Sequence, residues 1–378
     1  MTRSVLFAAG GTAGHVFPAL AVARALTELD GDLEPVFIGS RDRIEATLVA
    51  DAGFRFHAIN VVSVPRRLSP RLVTLPYAVR RAVREAMDLT RQERAVGSAV
   101  FGGAVAFPIA RAAWKLQLPL VVHEQNAVPG LANRAAARWS DRVAVTFPSS
   151  ARFFRHPERC AVTGNPVRDE ILALDRDAER EAARARLGLR PDRPTVFVFG
   201  GSQGARTINQ AIVAANDLWG DDIVQILHAT GRATFESTAT MWARVREAHR
   251  GPYAAVVDFI ESMADAYAAA DVVVCRAGAT SIAELTALGV PAVLVPYPHA
   301  TANHQAENAR ALARVGGAVV IEDKRLDGAS LVAAVRPLLR DADARAAMAR
   351  SSRAFGRRDA AANVARVIRD HLDMRRTW

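Results

Sequence analysis

The feature that most constrains this chain is an alternation of short apolar runs with longer helical patterns along its whole length. The apolar runs are rich in Val, Ile, Leu and Phe: SVLFAA, PVFIG, SAVF, LPLVVHE, RVAVTF, TVFVFG, IVQILHA, YAAVVDF, DVVVCR, VPAVLVP and GAVVI. Strands that alternate with helices form parallel sheets with crossover connections. The sequence therefore predicts an α/β protein whose ligands bind beyond the carboxyl ends of the strands.

One local pattern, a strand followed by a double glycine and a helix, occurs twice, at residues 4–29 and 195–215. A chain of 378 residues exceeds what one core usually organises, so the repetition indicates two domains of one nucleotide-binding plan. We place their link at Gly164–Pro166, which gives domains spanning 1–166 and 167–354. Residues 355–378 contain an amphipathic helix, 359–372, that we expect to pack back on the first domain.

The charge balance favours an anionic partner. The formal net charge is +10, and all but Lys115 and Lys324 of the 49 basic residues are arginine. Phosphate-rich ligands, acidic membrane surfaces and nucleic acid all suit such a balance. Nucleic acid is the weakest of these, because the sequence has no zinc-finger spacing, aromatic RNA-binding motif or basic tail. We therefore expect no nucleic-acid partner.

The cysteines and the apolar segments indicate the compartment. Cys160 and Cys275 lie far apart without metal-ligand or redox spacing, which predicts buried thiols in a reducing compartment and no metal site. The first apolar run is too short for a secretory signal, and the uncharged stretch 95–110 is too short and too broken by glycine and proline to span a membrane. We expect a soluble or peripheral protein.

Three glycine-rich turns are candidate phosphate sites. Gly10–His15 follows a strand and precedes a helix, with Pro18 expected in the first turn of that helix. The second copy, at 200–206, adds hydroxyl, amide and guanidinium donors but lacks the ending of a P-loop, which disfavours ATP hydrolysis. A third pair is Gly102 and Gly103. A single turn could be tight without a ligand, but three favour a phosphate-bearing ligand.

Several polar residues could carry chemistry at these strand ends. His15 at a helix start could act as a general base or be structural. The segment His123–Asn126 could line a site or cap the next helix. Ser281 could meet a phosphate, while Glu284 could bind a ribose or only complement a helix dipole. The polar turn at 303–305 suits sugar hydroxyls.

In order and spacing, six segments together closely resemble the MurG family over nearly the whole chain. They are GGTAGHVFPAL, HEQNAVPGLANR, GNPVR, GGSQGA, CRAGATSIAELTALGVPAVLVPYP and HQAEN. The resemblance implies a GT-B glycosyltransferase of class α/β, with two Rossmann-like domains whose parallel sheets face a cleft that closes during the reaction. It implies no cofactor and no metal.

The same resemblance implies the reaction and its setting. N-acetylglucosamine would pass with inversion from UDP-N-acetylglucosamine to the C4 hydroxyl of undecaprenyl-diphosphate-linked muramyl-pentapeptide, converting lipid I to lipid II. The enzyme would be peripheral to the cell membrane on its cytoplasmic side, with anionic inner-leaflet lipids as partners. Association with proteins of the division or elongation complex stays open.

The family pattern also implies roles for individual residues. His15 matches the proposed catalytic base. The residues that would bind UDP-N-acetylglucosamine are Thr12, Ala13, Gly14, Asn126, Arg168, Ser202, Ile260, Ala279, Thr280, Ser281, Glu284 and Gln305. The residues on the acceptor side would be Gly102, Gly103, His123, Glu124 and Gln125.

The sequence departs from the family pattern at three positions. Ala13 replaces a frequent glycine, which is tolerated if the backbone there is not left-handed. Ala104 and Ala106 stand where tyrosine and serine are usual, so a side-chain contact from this loop to the acceptor diphosphate is in doubt.

The segment around 66–84 is our candidate for membrane docking, with Trp114 as a neighbouring anchor. It mixes apolar residues with arginines, which suits an interface with anionic headgroups. The apolar residues are Leu72, Val73, Leu75, Tyr77 and Val79, and the arginines are 66, 67, 71, 80, 81, 84 and, in the following turn, 91. Pro65, Pro70 and Pro76 argue against a long regular helix. The alternative is a buried helix whose arginines form a solvated face.

Three other functions compete with lipid II synthesis. A related transferase could use another lipid acceptor such as diacylglycerol, a UDP-sugar epimerase could share the fold, or the chain could be a non-catalytic nucleotide-sugar-binding scaffold. The segment HEQNAVPGLANR argues for the muramyl acceptor, and His15 with a complete donor site argues against a scaffold.

Overall fold

The computed structural model describes residues 2–40, 44–61, 71–201, 203–220, 222–247 and 251–374, without the side chains of 71–73 and 374. The chain forms two compact units. The first comprises Met1–Arg168 and Arg358–Trp378, and the second comprises Asp169–Arg357. The sequence had placed these divisions after residues 166 and 354.

The first unit is built on a seven-stranded parallel sheet of order β3-β2-β1-β4-β5-β6-β7. Its strands are β1 Arg3–Ala9, β2 Leu33–Ser40, β3 Arg55–Ile59, β4 Gly97–Gly102, β5 Leu120–Glu124, β6 Arg142–Val145 and β7 Cys160–Val162. Its helices are α1 Ala13–Leu29, α2 Ile44–Asp51, α3 Arg71–Gln92, α4 Ala106–Lys115, α5 Leu131–Ala136 and α15 Ala360–Met374.

The second unit is built on a six-stranded parallel sheet of order β10-β9-β8-β11-β12-β13. Its strands are β8 Thr195–Phe199, β9 Gln225–Ala229, β10 Tyr253–Val257, β11 Val272–Cys275, β12 Ala292–Leu294 and β13 Val319–Val320. Its helices are α6 Asp169–Leu172, α7 Arg176–Arg186, α8 Arg206–Ala214, α9 Phe235–Glu247, α10 Met263–Ala269, α11 Ala279–Leu288, α12 His304–Ala313, α13 Gly328–Arg340 and α14 Ala342–Phe355.

Both sheets confirm the predicted parallel α/β architecture. The central strands are almost continuously apolar because helices cover both faces of a parallel sheet. In β1, for example, every residue from Ser4 to Ala9 is buried. The sequence missed β3 and β7, which lie at the two edges of the first sheet and are only half-buried, so their apolar signal is weak.

Each sheet reverses its strand order at one place, and this place positions the glycine-rich turns. In the first sheet β2 lies on one side of β1 and β4 on the other, so the loops after β1 and β4 diverge from adjacent strand ends. The second sheet repeats this arrangement with β8 and β11. Ligands of doubly wound sheets bind in the crevice at such points.

The C-terminal helix α15 completes the core of the first unit. Val364, Ala365, Ile368 and Leu372 are buried in one apolar cluster with residues of β1 and α1 such as Phe7. A Cβ atom at Gly97 would collide with the Leu372 side chain, so a larger residue at this strand position would force that side chain to move.

Three local predictions were wrong. Pro18 lies inside α1 rather than in its first turn, because the helix already begins at Ala13. The prolines do not prevent a long helix either: α3 runs for 22 residues with Pro76 inside, since a proline near the start removes one backbone hydrogen bond and leaves the later turns intact. Cys275 is buried, but Cys160 on an edge strand is only half-buried.

Candidate active site

His15 lies at the start of α1, directly after the glycine turn that follows β1. Its Nδ1 is 2.9 Å from the carbonyl oxygen of Gly10 and 3.3 Å from Oγ1 of Thr12. A carbonyl oxygen can only accept a hydrogen bond, so Nδ1 carries the proton and donates it to Gly10. The lone pair of the neutral ring is therefore on Nε2.

The surroundings of His15 keep its ring neutral at physiological pH. Burial lowers the pKa of His15 below its usual value of 6.5, while the hydrogen bond to Gly10 and the carboxylate of Glu45 act in the opposite direction. A neutral imidazole with a free Nε2 can accept a proton from a hydroxyl group. This geometry is compatible with the predicted role of a general base, which stays a prediction.

The glycines after β4 are packed around this imidazole. Gly102 and Gly103 have φ angles of 126° and 85°, which disfavour any residue with a side chain. A Cβ atom at Gly102 would lie 2.8 Å from Nε2 of His15, and one at Gly103 would collide with the carbonyl of Gly10. The structure thus brings together His15, Gly102 and Gly103.

The residues of the first unit that are predicted to bind the sugar donor lie at three places in the chain. Thr12 precedes α1 in an extended conformation, and Ala13 and Gly14 form its first turn. Ala13 is helical, so the left-handed backbone that would have required glycine does not occur there. Asn126 donates to Glu124 after β5, and the guanidinium of Arg168 lies 5.0 Å above the ring of Phe17.

The three predicted acceptor-side residues at the carboxyl end of β5 are buried and make hydrogen bonds to neighbouring segments. His123 Nε2 donates to the carbonyl of Gly164 at 3.1 Å, and Gln125 Nε2 donates to the carbonyl of Phe101 at 2.8 Å. Burial lowers the pKa of His123 to about 4. These contacts join the carboxyl end of β5 to the end of β4 and to the segment after β7.

Glu124 organises the turn between β5 and α5. One carboxylate oxygen accepts from the backbone of Asn126, and the other accepts from Gly130 N at 3.2 Å and from Asn133 Nδ2 at 2.9 Å. Burial raises the pKa of Glu124, and the hydrogen bonds oppose that effect. The sequence left two roles open for this segment, which are to cap the next helix or to line the site. In the structure Glu124 holds the backbone directly before α5, and contact with an acceptor stays a prediction.

In the second unit, the turn after β8 packs tightly against the end of β9. Gly204 has a φ of 77°, and a Cβ atom there would collide with the carbonyl of Thr230. A Cβ atom at Gly231, which follows β9, would likewise collide with the backbone of Gly204. Ser202, the predicted donor residue of this turn, lies outside the described residues.

The helix α11 offers an N-terminus at the reversal point of the second sheet. Gly278 precedes it in an extended conformation without a side-chain cap, and Ala279, Thr280 and Ser281 form its first turn. The first N–H groups of a helix lack partners within the helix, and the helix dipole is positive there. Such an end favours an anionic group like a diphosphate.

Glu284, one turn further along α11, is held by a buried tyrosine. Its side chain is only 4% exposed, and Oε2 accepts a hydrogen bond of 2.9 Å from the hydroxyl of Tyr267. A glutamate that only complemented the helix dipole would not need this partner. The sequence did not identify Tyr267, which lies on α10.

The last two residues predicted to bind the sugar donor lie in the segments that follow β10 and β12. Ile260 is buried just after β10. Gln305 Oε1 accepts from the backbone N–H of Tyr297 at 2.9 Å, which ties the segment after β12 to the start of α12.

Arg276 joins three strand ends in the second unit, and its partners were not predicted. Its guanidinium is 2.5 Å from Asp323 Oδ1 and 2.9 Å from Thr207 Oγ1, and it donates to the carbonyl of Val295 at 3.2 Å. The position of Arg276 directly after β11 was visible in the sequence. Asp323 and Thr207 are distant along the chain, so no local pattern indicated the network.

The described residues contain no group of three or more His, Cys, Asp or Glu side chains placed to hold a metal ion. Within the same part of the chain, no helix combines the length and the apolar character needed to cross a membrane.

Comparison with known proteins agrees with this arrangement. The family model described as "Glycosyltransferase family 28 N-terminal domain" matches residues 5–145, and that described as "Glycosyltransferase family 28 C-terminal domain" matches residues 195–364. A crystal structure of MurG from Acinetobacter baumannii superimposes with a TM-score of 0.76 at 30% identity, covering 97% of this chain and 99% of that one. The fold is therefore GT-B.

Curated relatives match over nearly their full length. A Nocardioides protein is 44% identical, covering 96% of this chain and 97% of its own, and a Frankia casuarinae protein is 42% identical, covering 100% and 98%. Both are named UDP-N-acetylglucosamine–N-acetylmuramyl-(pentapeptide) pyrophosphoryl-undecaprenol N-acetylglucosamine transferase. With both of its domains matched and relatives this similar over its full length, the chain belongs to the MurG family of glycosyltransferases.

Proposed function

We propose that this chain transfers N-acetylglucosamine from UDP-N-acetylglucosamine to the C4 hydroxyl of undecaprenyl-diphosphate-linked muramyl-pentapeptide, the step from lipid I to lipid II in peptidoglycan synthesis. The observation that carries the proposal is the full-length identity of 44% to a transferase of that name. The geometry of each unit supports the proposed mechanism.

His15 is the proposed base of an inverting displacement. The acceptor oxygen forms a bond to the anomeric carbon, Nε2 of His15 takes the hydroxyl proton, and UDP leaves with the electron pair of the broken bond. The Nδ1–H bond to Gly10 supports this role because it fixes the tautomer with a free Nε2. Gly102 and Gly103 contribute by leaving room beside the ring.

The second unit is the proposed donor site. The first turn of α11, Ala279–Ser281, would bind the diphosphate, and its N–H groups would stabilise the charge that develops on the leaving UDP. Glu284, oriented by Tyr267, would accept hydrogen bonds from the ribose. Ile260 and Gln305 would bind the uracil and the sugar, and Ser202 would add a donor to the diphosphate.

The remaining predicted residues complete the proposal. Thr12, Ala13, Gly14, Asn126 and Arg168 would contact the donor, and the loops held by His123, Glu124 and Gln125 would shape the acceptor side. No cofactor is required, since the proposed chemistry needs only a base and a stabilised leaving group.

The first unit is also the proposed membrane-docking unit, on the cytoplasmic side of the cell membrane. Tyr77 on α3 is 74% exposed and Trp114 on α4 is 49% exposed, and these two helices pack against each other. Arg80 and Arg84 on α3 are exposed as well. A concavity of about 830 Å³ on the same unit adds further arginines, including Arg134 and Arg155. Anionic inner-leaflet lipids are the partners that suit this combination.

A transfer assay tests the function directly. Purified protein receives labelled UDP-N-acetylglucosamine with lipid I and diacylglycerol offered side by side. We expect label in the lipid I product alone, at a rate that does not fall when a chelator is added. Label in diacylglycerol would instead identify a related lipid glycosyltransferase, and epimerised UDP-sugar without any acceptor would identify an epimerase.

A further inference from the structure

A buried carboxylate lies beside the His15 turn and has no role in the mechanism described so far. Glu45, at the start of α2, is completely buried. Its Oε1 accepts from the backbone N–H of Ser40 at 3.1 Å, while its Oε2 has no hydrogen-bond partner among the described residues. Burying a carboxylate with an unbonded oxygen costs free energy, so such a group calls for a specific explanation.

Two glycines, one in the turn after β1 and one on β2, make room for this side chain. A Cβ atom at Gly10 would lie 2.9 Å from Glu45 Oε1, and one at Gly39 on β2 would lie 2.7 Å from Glu45 Cγ. The carboxylate is therefore packed against the backbone of Gly10. The carbonyl of that same residue accepts the Nδ1–H of His15.

Among the described residues, Glu45 is the acidic group whose charge acts on His15. Its carboxylate raises the pKa of His15 against the larger effect of burial. From β5 the imidazole meets His123, which is neutral because its own pKa is about 4. The first turn of α1 carries no acidic residue, and the loop after β4 presents Gly102 and Gly103.

We propose that Glu45 is a positioning residue for His15, whose buried negative charge stabilises the imidazolium formed when Nε2 takes the acceptor proton. This inference rests on the proposed function. The proton passes from the acceptor hydroxyl to Nε2 and stays there during the displacement. The carboxylate also supports Gly10, whose carbonyl fixes the tautomer of the ring.

The first test measures His15 in the resting enzyme, without any substrate. Glu45→Gln keeps the side-chain volume and an oxygen that can accept from Ser40, but it removes the charge. Titration of ¹⁵N-histidine-labelled protein by NMR, with the His15 signal assigned by its loss in His15→Gln, should show the pKa of His15 lowered by about one unit or more. Asp51→Asn, which removes an exposed carboxylate from the same helix, should leave that pKa unchanged.

The second test measures catalysis on lipid I. Loss of one pKa unit of stabilisation corresponds to about a tenfold lower kcat. We expect this decrease in Glu45→Gln at neutral pH, with the acid limb of the kcat profile moved to lower pH and with unchanged UDP affinity. A purely structural role would change the melting temperature without moving the acid limb.

A conservative variant keeps the inference testable if Glu45→Gln does not fold. Glu45→Asp retains the charge but withdraws it by one methylene, so it should lower the pKa of His15 by less and restore part of kcat. An unchanged pKa of His15 in a folded variant of Glu45 overturns the inference and leaves the transferase assignment intact. A lowered pKa with no transfer by the wild-type enzyme rejects the proposed function while the link between Glu45 and His15 stands.

Discussion

At the scale of the residue, the proposed chemistry depends on which nitrogen of His15 is free. The hydrogen bond from Nδ1 to Gly10 and the absence of a side chain at Gly102 together leave Nε2 as the acceptor. A histidine in the same sequence position without these contacts would have no defined tautomer. Catalysis is therefore expected to depend on the ring itself and on the glycines around it.

Replacing His15 should impair turnover far more than donor binding. His15→Ala removes the base, so we expect kcat to fall by roughly 10²–10⁴-fold, the usual contribution of general-base catalysis. UDP affinity, measured by calorimetry, should stay nearly unchanged. His156→Ala, at a surface histidine paired with Glu158, is the matched control and should retain full activity. Near-normal turnover of His15→Ala would remove the residue from the mechanism.

Replacing Glu284 should weaken the binding of UDP and UDP-sugar alike. The loss of ribose hydrogen bonds to a charged carboxylate is worth about 1–3 kcal/mol. Tyr267→Phe, which removes only the hydroxyl that orients Glu284, should cost less than Glu284→Ala. Unchanged calorimetric affinity in folded Glu284→Ala would leave the glutamate with a structural role only.

Two buried histidines should make the protein unstable in mild acid. The pKa of His123 is lowered to about 4 and that of His228 to about 3, both by burial, and in each ring Nδ1 already accepts a hydrogen bond. Their pKa values rise to about 6.5 on unfolding, so the unfolded chain binds more protons below that pH. Stability should be full above about pH 6.5 and fall as the pH decreases.

The size of this effect can be measured by urea unfolding at two pH values. At pH 5 each histidine should account for about 2 kcal/mol of lost stability relative to pH 7.5. Because His123 and His228 lie in different units, both units should be affected. Equal free energies of unfolding at the two pH values would contradict the assignment of neutral, buried rings.

Sequence patterns predicted the residues at strand ends but not their partners. Gly10, His15 and Glu284 stand in local motifs, and a motif fixes which strand or helix end a residue occupies. Tyr267 and Glu45 reach the site from other elements, and only the folded backbone brings them there. Burial and hydrogen bonding between distant segments leave no pattern in a single sequence.

At the scale of the element, α3 combines buried apolar residues and exposed arginines on one helix. Its later turns bury Ala82, Ala86 and Leu89 in the core of the first unit. Its outer face presents Tyr77 and the arginines to solvent. The sequence left a membrane-docking segment and a buried helix as alternatives, and the described part of α3 has features of both.

Vesicle co-sedimentation distinguishes the membrane role of this surface. Binding should grow with the fraction of anionic lipid and fall with salt, since each arginine near an acidic surface contributes about 1 kcal/mol. Combined Leu75→Ser, Tyr77→Ser and Trp114→Ser substitution should weaken it. The side chain of Leu72, also predicted to insert, lies outside the described residues.

The control for that experiment comes from the second unit. Tyr253 is 49% exposed, the same fraction as Trp114, so Tyr253→Ser removes an equally accessible aromatic ring from a different surface. It should bind vesicles like the wild type. Equal binding by the triple variant and this control would exclude the α3 and α4 surface from docking.

At the scale of the whole molecule, the chain passes from the first unit to the second and returns. The second unit is one continuous segment, Asp169–Arg357, whereas the first is assembled from both ends of the chain. The repeated glycine pattern predicted two units of one plan. It could not give the exact places of transition, because a boundary depends on contacts rather than on local composition.

The returning helix should be essential to the stability of the first unit. Ile368 on α15 is 2% exposed, and Ile368→Ala should cost about 2–5 kcal/mol as a large-to-small core substitution. Arg366→Ala on the exposed side of the same helix should change stability by less than about 0.5 kcal/mol. Urea unfolding gives the free energies, and limited proteolysis reports which unit opens first. Equal stability of the two variants would show that α15 adds little to the core.

The position of α15 after the second unit in the sequence also sets an order of events during synthesis. Val364 and Ile368 leave the ribosome after all of the second unit, although they belong to the same apolar core as Phe7 and Val16. Domains generally fold as units while the chain emerges. The second unit can thus begin to fold before the first is complete, whereas the first must wait, with part of its apolar core uncovered, until α15 has emerged.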